Sequence, residues 1–202
     1  KGVTFDTGGI SIKPSSKMED MKHDMSGAAT MFAACLLASK WKVPNKIVGV
    51  MVFTENTPSG EAIHPGAVIK GRAGKTVEIV NTDAEGRLIL ADALDYAQDF
   101  KPNVVVDAAT LTGAIAVALG RYAAGLFSNS DTVQDQLERA AQIQSERVWP
   151  MPMYDEYFED MKSEYADMKN IAYEPGGGSS RGAIFLKQFI RDKMPWAHLD
   201  IA

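Results

Sequence analysis

The chain has 202 residues, 46% of them hydrophobic, enough to bury a substantial core in one domain or two small ones. A formal net charge of −5 and a pI near 5.2 argue against nucleic acid or an anionic membrane as the general partner of this segment. The apolar stretches are too short to span a bilayer and no signal-peptide pattern opens the chain, so no membrane partner is expected.

Strand-like and helix-like patterns alternate. Lys1–Asp6, which opens without an initiator methionine, reads as the tail of a buried strand, and Thr7–Met21 as a loop broken by Gly8-Gly9 and Pro14. Lys22–Trp41 reads as a helix rich in small residues. The single cysteine, Cys35, falls in its apolar run and is expected to be a small buried hydrophobe, which fits a reducing compartment. Ile47–Thr54 is nearly continuous apolar sequence, the pattern of a strand buried on both faces, and 55–66 reads as a loop. Val77–Val80 (strand), Leu88–Gln98 (helix), Asn103–Asp107 (buried strand), Gly113–Leu119 (short helix) and Ala124–Ser128 (strand) follow. Thr132–Arg147 is an amphipathic helix with Asp131 as its expected N-cap, and Tyr154–Lys169 a highly charged helix. A Gly/Ser-rich loop at Glu174–Gly182, a helix at Ala183–Asp192 and a strand at Trp196–Ile201 complete the chain. The alternation predicts an α/β fold, a three-layer α/β/α sandwich with a mainly parallel central sheet. Both ends read as cut, so a fragment is expected.

In such a sheet, ligands bind beyond the C-terminal ends of the strands. That rule gathers Asp6–Lys13, Asp24, Asn81–Arg87 and Ala108–Gly113. The octapeptide Asn81-Thr82-Asp83-Ala84-Glu85-Gly86-Arg87-Leu88 joins a β-branched run to a helical pattern. Taken alone it is either a solvated turn with Asp83 as helix N-cap or a site. Beside Asp6 and Asp24, however, Asp83 and Glu85 make four carboxylates at one edge, costly to desolvate together. Two divalent cations would offset that charge, the logic of a two-metal hydrolytic site. His23, His64 and His198 form no metal-binding pattern, and a carboxylate set favours magnesium, manganese or zinc. Lys1 is either an ordinary strand-end charge or, beside dications, a neutral amine ligand. Gly71–Thr76 ends like a phosphate-binding loop, but Ile69 stands where that motif needs glycine and a strand follows, so nucleotide binding is not expected. Gly176–Ser180 has no strand before it and reads as a flexible loop or helix entry.

The octapeptide resembles the signature of the leucyl aminopeptidase family of cytosolic dinuclear metallo-exopeptidases. Lys1-Gly2-Val3-Thr4-Phe5-Asp6-Thr7-Gly8-Gly9 with Lys13-Pro14 resembles that family's first metal-ligand segment, and Met21–Ala29 its second. Asp107–Gly113 resembles its substrate-cleft strand. The motifs occur in the family's order along the chain. The resemblance implies a metal-dependent aminopeptidase that acts on peptides with a free N-terminus, Leu, Met and other apolar residues preferred. Asp6 and Glu85 would bridge the metals, Asp83 would complete a looser site, and Lys1 and Asp24 a tighter one. Lys13 would contact the scissile carbonyl and Arg87 would hold a bicarbonate general base. Met21, Thr110, Leu111 and Gly113 would line the pocket for the N-terminal side chain, and Asn81 and Ala84 the leaving-group side. The implied metals are zinc or manganese, with magnesium as a further candidate. The resemblance also implies a cytoplasmic homo-hexamer, with residues 1–202 as part of a C-terminal catalytic domain and the family's N-terminal domain outside the chain. Two other readings make different predictions: a DNA-binding regulatory role of the parent protein, and another dinuclear hydrolase such as a phosphoesterase, which would lack a pocket for a free amine.

Overall fold

In the computed structural model, which describes residues 1–202, helices and strands alternate as the α/β reading requires. Strand β1 (Gly2–Asp6) leads through a 3₁₀ turn at Met18–His23 into α1 (Ser26–Lys40). Strands β2 (Phe53–Asn56), β3 (Val68–Lys70) and β4 (Thr76–Glu78) precede α2 (Gly86–Ala97). Then come β5 (Val105–Ala109), α3 (Gly113–Leu119), β6 (Ala124–Ser128), α4 (Asp131–Gln144) and β7 (Val148–Pro150). The chain closes with α5 (Glu156–Glu159), β8 (Met168–Lys169), α6 (Gly178–Lys187) and β9 (Trp196–Asp200).

The expected single, mainly parallel sheet is subdivided. Hydrogen bonding joins β1 to β2 in parallel, β4 to β3 (antiparallel) and β8 (parallel), and β5-β9-β6-β7 in a third group. In that group β5/β9 and β6/β7 are parallel and β6/β9 antiparallel. Between β1 and β5 the start of α1 intervenes: Ala28 N donates to the Lys1 carbonyl, and a Cβ at Gly27 would lie 2.1 Å from the Ala108 carbonyl oxygen. Only glycine lets the helix backbone come this close to the strand.

Three other expectations are corrected. Ile47–Thr54 is not a strand buried on both faces: β2 begins at Phe53, and Ile47 and Phe53 are 51% and 58% exposed. An apolar run records a demand for burial, and here nothing covers it. The same uncovered side includes Phe32, Leu36 and Leu37 of α1, and Cys35 is only half-buried there. Tyr154–Lys169 is not one helix. Ser163 Oγ accepts from Tyr165 N (3.0 Å) and Ala166 N (3.1 Å), and Asp167 accepts from Thr76 N (2.7 Å) and Oγ1 (2.9 Å). Such side-chain bonds to backbone compete with the helical ladder. Finally, α4 is capped by Ser130, whose Oγ accepts from Val133 N (3.4 Å), and not by Asp131.

The main core lies beneath the octapeptide. Leu90, Ala91 and Leu94 of α2 pack with Ile184, Phe185 and Phe189 on one side and with Ile79, Val105 and Trp196 on the sheet side. Residues 86–97 are spaced so that 90, 91 and 94 share one helix face, and burying that face fixes where the helix begins.

One buried polar network sits inside the sheet. Asp107 accepts from Trp196 Nε1 (2.8 Å) and faces His198 Nδ1 (2.7 Å), and His198 has no exposed surface. Burial pulls the imidazole pKa down, but the charge and hydrogen bond of Asp107 outweigh it and raise it above the ordinary value of 6.5. The pair therefore stabilises the fold fully below about 6.5 and loses that contribution as pH rises through the raised value. Removing one partner of a buried pair costs about 3–5 kcal/mol. Urea unfolding of Asp107→Ala is expected to show a loss of that order at pH 6 that shrinks toward alkaline pH.

Candidate active site

Four segments that end strands or open helices converge at one edge of the sheets. Asp6 is the last residue of β1, and Asp24 follows the 3₁₀ turn. Asp83 and Glu85 lie between β4 and α2, and Thr110 follows β5. Carboxylate oxygens of Asp6, Asp83 and Glu85 all lie within 4.8 Å of one another. Asp24 is buried, its Oδ1 accepting from Thr110 Oγ1 (2.7 Å), while its Oδ2 has no hydrogen-bond partner.

Two lysines enter this negative cluster. Lys1 Nζ lies 2.9 Å from Asp24 Oδ1 and 2.8 Å from Glu85 Oε1, and donates to the Thr110 carbonyl at 2.8 Å. Lys1 is therefore not a solvated strand-end charge but faces the carboxylates. Burial opposes its charge, yet Glu85 and Asp24 outweigh that and raise its pKa. Lys13 Nζ lies 2.9 Å from Asp6 Oδ2 and also pairs with Asp83 Oδ1, so Asp83 is an ion-pair partner and not a helix cap. The carboxylates remain in excess. Burial pushes Glu85 up to about 7 against the pull of Lys1, with Asp6 and Asp24 adding to the rise. Burial raises Asp83 as well, against the pull of Lys13.

Arg87, the second residue of α2, is buried beside the cluster. Its Nη1 donates to the Asn170 carbonyl (2.8 Å), its guanidinium lies 6.0 Å from the Phe185 ring centroid, and its buried Nε has no partner. Burial draws its pKa down to about 10, so it stays cationic at neutral pH. A buried cationic fork with an unused N–H suits an anion.

Thus two ion-paired sets, Lys1 with Asp24, Glu85 and Thr110, and Lys13 with Asp6 and Asp83, meet where the oxygens of Asp6, Asp83 and Glu85 come within 4.8 Å, with Arg87 adjoining. Asn81 shapes the loop, its Oδ1 accepting from Asp83 N (2.7 Å), and Ala84 N donates to the Asn81 carbonyl (3.2 Å). Leu111 N donates to Asp200 Oδ1 (3.0 Å), and the Met21 carbonyl accepts from Asp24 N (3.2 Å). Gly113 opens α3 with nothing within 4 Å of its Cβ position. Hydrogen bonds do not tie Met21, Ala84, Leu111 or Gly113 to the carboxylates. Elsewhere, Gly71–Thr76 spans the turn of the antiparallel β3–β4 hairpin, and Gly176–Ser180 is the entry to α6.

Sequence reasoning missed the residues that hold the acids in place. Asn56 Nδ2 donates to Asp6 Oδ1 and to the Thr82 carbonyl, both at 2.9 Å. Thr82 Oγ1 donates to the Gly8 carbonyl at 2.6 Å and accepts from Ser11 N at 2.8 Å. Asp200 Oδ2 accepts from Thr112 Oγ1 (2.6 Å), and Asn170 Oδ1 accepts from Val80 N (2.8 Å). Asn56 ends β2, Asp200 ends β9 and Asn170 follows the last residue of β8. All three thus lie at strand ends like the acids, but β8 is only two residues long and gives no sequence pattern that would have marked Asn170.

The whole chain, residues 1–202, matches the family model described as the cytosol aminopeptidase family, catalytic domain. The chain belongs to that family. It is 53% identical over 204 residues to the probable cytosol aminopeptidase of Rickettsia felis, covering 100% of this chain and 41% of that relative. The corresponding protein of Chloroherpeton thalassium is 52% identical over 207 residues (100% and 40%), and that of Chromobacterium violaceum 50% over 202 residues (100% and 38%). The chain thus spans about two fifths of the length of these cytosol aminopeptidase relatives, with 41% the coverage of the first.

Gly86 offers a direct probe of the cluster. A Cβ there would meet Lys1 Cε at 2.6 Å, Nζ at 2.7 Å and Cδ at 2.8 Å, the mobile end of a side chain. Gly86→Ala in the full-length protein is expected to leave folding intact but displace Lys1. As read by chelator competition, metal affinity should fall by at least the roughly ten-fold typical of losing an outer-shell partner, because Lys1 is itself an expected ligand.

Proposed function

We propose that the parent protein is a metal-dependent aminopeptidase of the cytosol whose reaction centre is the cluster of Asp6, Asp24, Asp83 and Glu85. The observation that carries this reading is the charge balance: four acids, partly buried, are met by only Lys1 and Lys13, and Asp24 Oδ2 is left without a partner. That set fits two divalent cations of the zinc, manganese or magnesium type. Asp6, Asp24, Asp83 and Glu85 would hold them, with Lys1 as a further ligand through its amine once its proton is displaced. Bound there, the cations would supply positive charge that brings the pKa of a bound water toward neutrality.

The remaining roles belong to the chain itself. Lys13, held between Asp6 and Asp83, can present its ammonium to the scissile carbonyl oxygen as negative charge develops on it. Arg87 would hold bicarbonate, a proton acceptor, on its unused N–H groups. Peptides with a free N-terminus are the proposed substrates because an amine can meet this acidic edge and a blocked one cannot. The segments bearing Met21, Thr110, Leu111 and Gly113 would receive the N-terminal side chain, apolar residues such as Leu or Met preferred. Asn81 and Ala84 would flank the leaving group. A homo-hexamer is the proposed assembly of the full-length protein.

Full-length protein stripped of metal is expected to be inactive on leucine p-nitroanilide and to recover with Mn²⁺ or Zn²⁺, with no turnover of the N-acetylated substrate. Equal turnover of the blocked substrate, or none after metal is restored, would refute the proposal. Glu85→Ala should abolish activity and weaken metal binding, whereas His64→Ala, exposed and away from the cluster, should retain wild-type turnover.

A further inference from the structure

We propose that Asn170 is a positioning residue that sets the path of the loop from Val80 to Arg87 and the aim of the Arg87 guanidinium. Asn170 has no exposed surface and uses nearly all of its hydrogen-bonding capacity on this segment. Its Oδ1 accepts from Val80 N (2.8 Å) and Asn81 N (3.3 Å), and its Nδ2 donates to the Asn81 carbonyl (2.6 Å). Its backbone N donates to the Glu78 carbonyl (2.9 Å), and its carbonyl accepts from Arg87 Nη1 (2.8 Å). One buried residue thus grips the segment where it leaves β4 and again at the start of α2, on either side of Asp83 and Glu85.

The chemistry demands asparagine. The position needs an acceptor for two backbone N–H groups and, on a second atom, a donor for a carbonyl; a carboxylate has no donor, and a hydroxyl has only one atom for both tasks. The hold is relayed: Asn81, fixed through its backbone, uses its own Oδ1 to accept from Asp83 N (2.7 Å). Arg87 depends on the same residue, because its Nε has no partner and the Asn170 carbonyl is what orients its Nη1. Residues that orient the groups next to a reaction centre typically alter metal affinity or activity by about 10–100-fold when removed.

This inference rests on the proposed function and is tested by quantities that can fail separately from it. Asp167 supplies the control: it clamps Thr76 at the opposite end of β4, so Asp167→Ala loosens the same β4–β8 contact without touching the loop. In full-length protein, Mn²⁺ affinity by chelator competition and kcat at saturating metal are measured for wild type, Asn170→Ala, Asn170→Asp and Asp167→Ala. Asn170→Ala is expected to lose about 10–100-fold in Mn²⁺ affinity and in kcat with KM little changed. Asn170→Asp keeps the two accepted bonds but sets a buried carboxylate oxygen against the Asn81 carbonyl, so its loss should be at least as large. Asp167→Ala should lower the unfolding midpoint and leave Mn²⁺ affinity and kcat at wild-type values. The inference is overturned if a folded Asn170 variant binds Mn²⁺ and turns over like wild type while wild type is active. It is equally overturned if both Asn170 variants fail to fold while Asp167→Ala folds, since Asn170 would then be a folding residue. Wild type that binds no Mn²⁺ removes the proposed function and this inference with it.

Discussion

Four carboxylates drawn to one edge of the sheets repel one another, and the structure is organised around holding them there. Each lysine stands between two acids: Lys1 between Asp24 and Glu85, Lys13 between Asp6 and Asp83. Without those ammonium groups the acids would take up protons or separate, because burial penalises every unpaired charge. With them the cluster is still short of positive charge, the condition that makes the edge attractive to dications. The lysines and the proposed metals therefore answer the same electrostatic demand. They differ in reach, since an ammonium satisfies a pair of oxygens whereas a dication organises a whole set.

Much of this was legible in the sequence because it depends on local order. The strand-to-helix step around Asn81–Leu88, the acids at 6, 24, 83 and 85 and the α/β alternation follow from periodicity and from the rule that ligands gather at strand ends. The role of Lys1 was not settled by its neighbours, for its partners Glu85 and Thr110 are remote in the chain. The supporting amides were missed for the same reason: Asn56 and Asn170 have no local signature, and the two-residue β8 that places Asn170 is too short to leave a pattern. The apolar run at Ile47–Thr54 misled in the other direction, because hydrophobicity states a preference while tertiary packing decides whether it is met.

The polar support has a consistent design. Asn56, Asn170 and Asp200 each close or follow a strand and each bonds to backbone or acid on a neighbouring segment. None carries positive charge, so the acids are oriented without the electrostatic deficit being filled. Beneath them the packed layer of Leu90, Leu94, Phe185 and Trp196 supplies rigidity. Charge is thus concentrated on a stiff apolar base, and two amides and one carboxylate fix the segments around it.

The ammonium of Lys1 and the carbonyl of Thr110 that receives it are 109 positions apart in sequence, and Gly86 lets the lysine stem pass between. Such a centre has no counterpart in a partly folded chain, because loops of that length must close before any of its groups meet. Helices can form early from local signals, but the acidic edge exists only after β1, α2 and β5 have docked. The proposed cations, which need the assembled edge, would therefore favour the native state and, by mass action, hold it against unfolding, so that removing them would cost stability as well as charge balance.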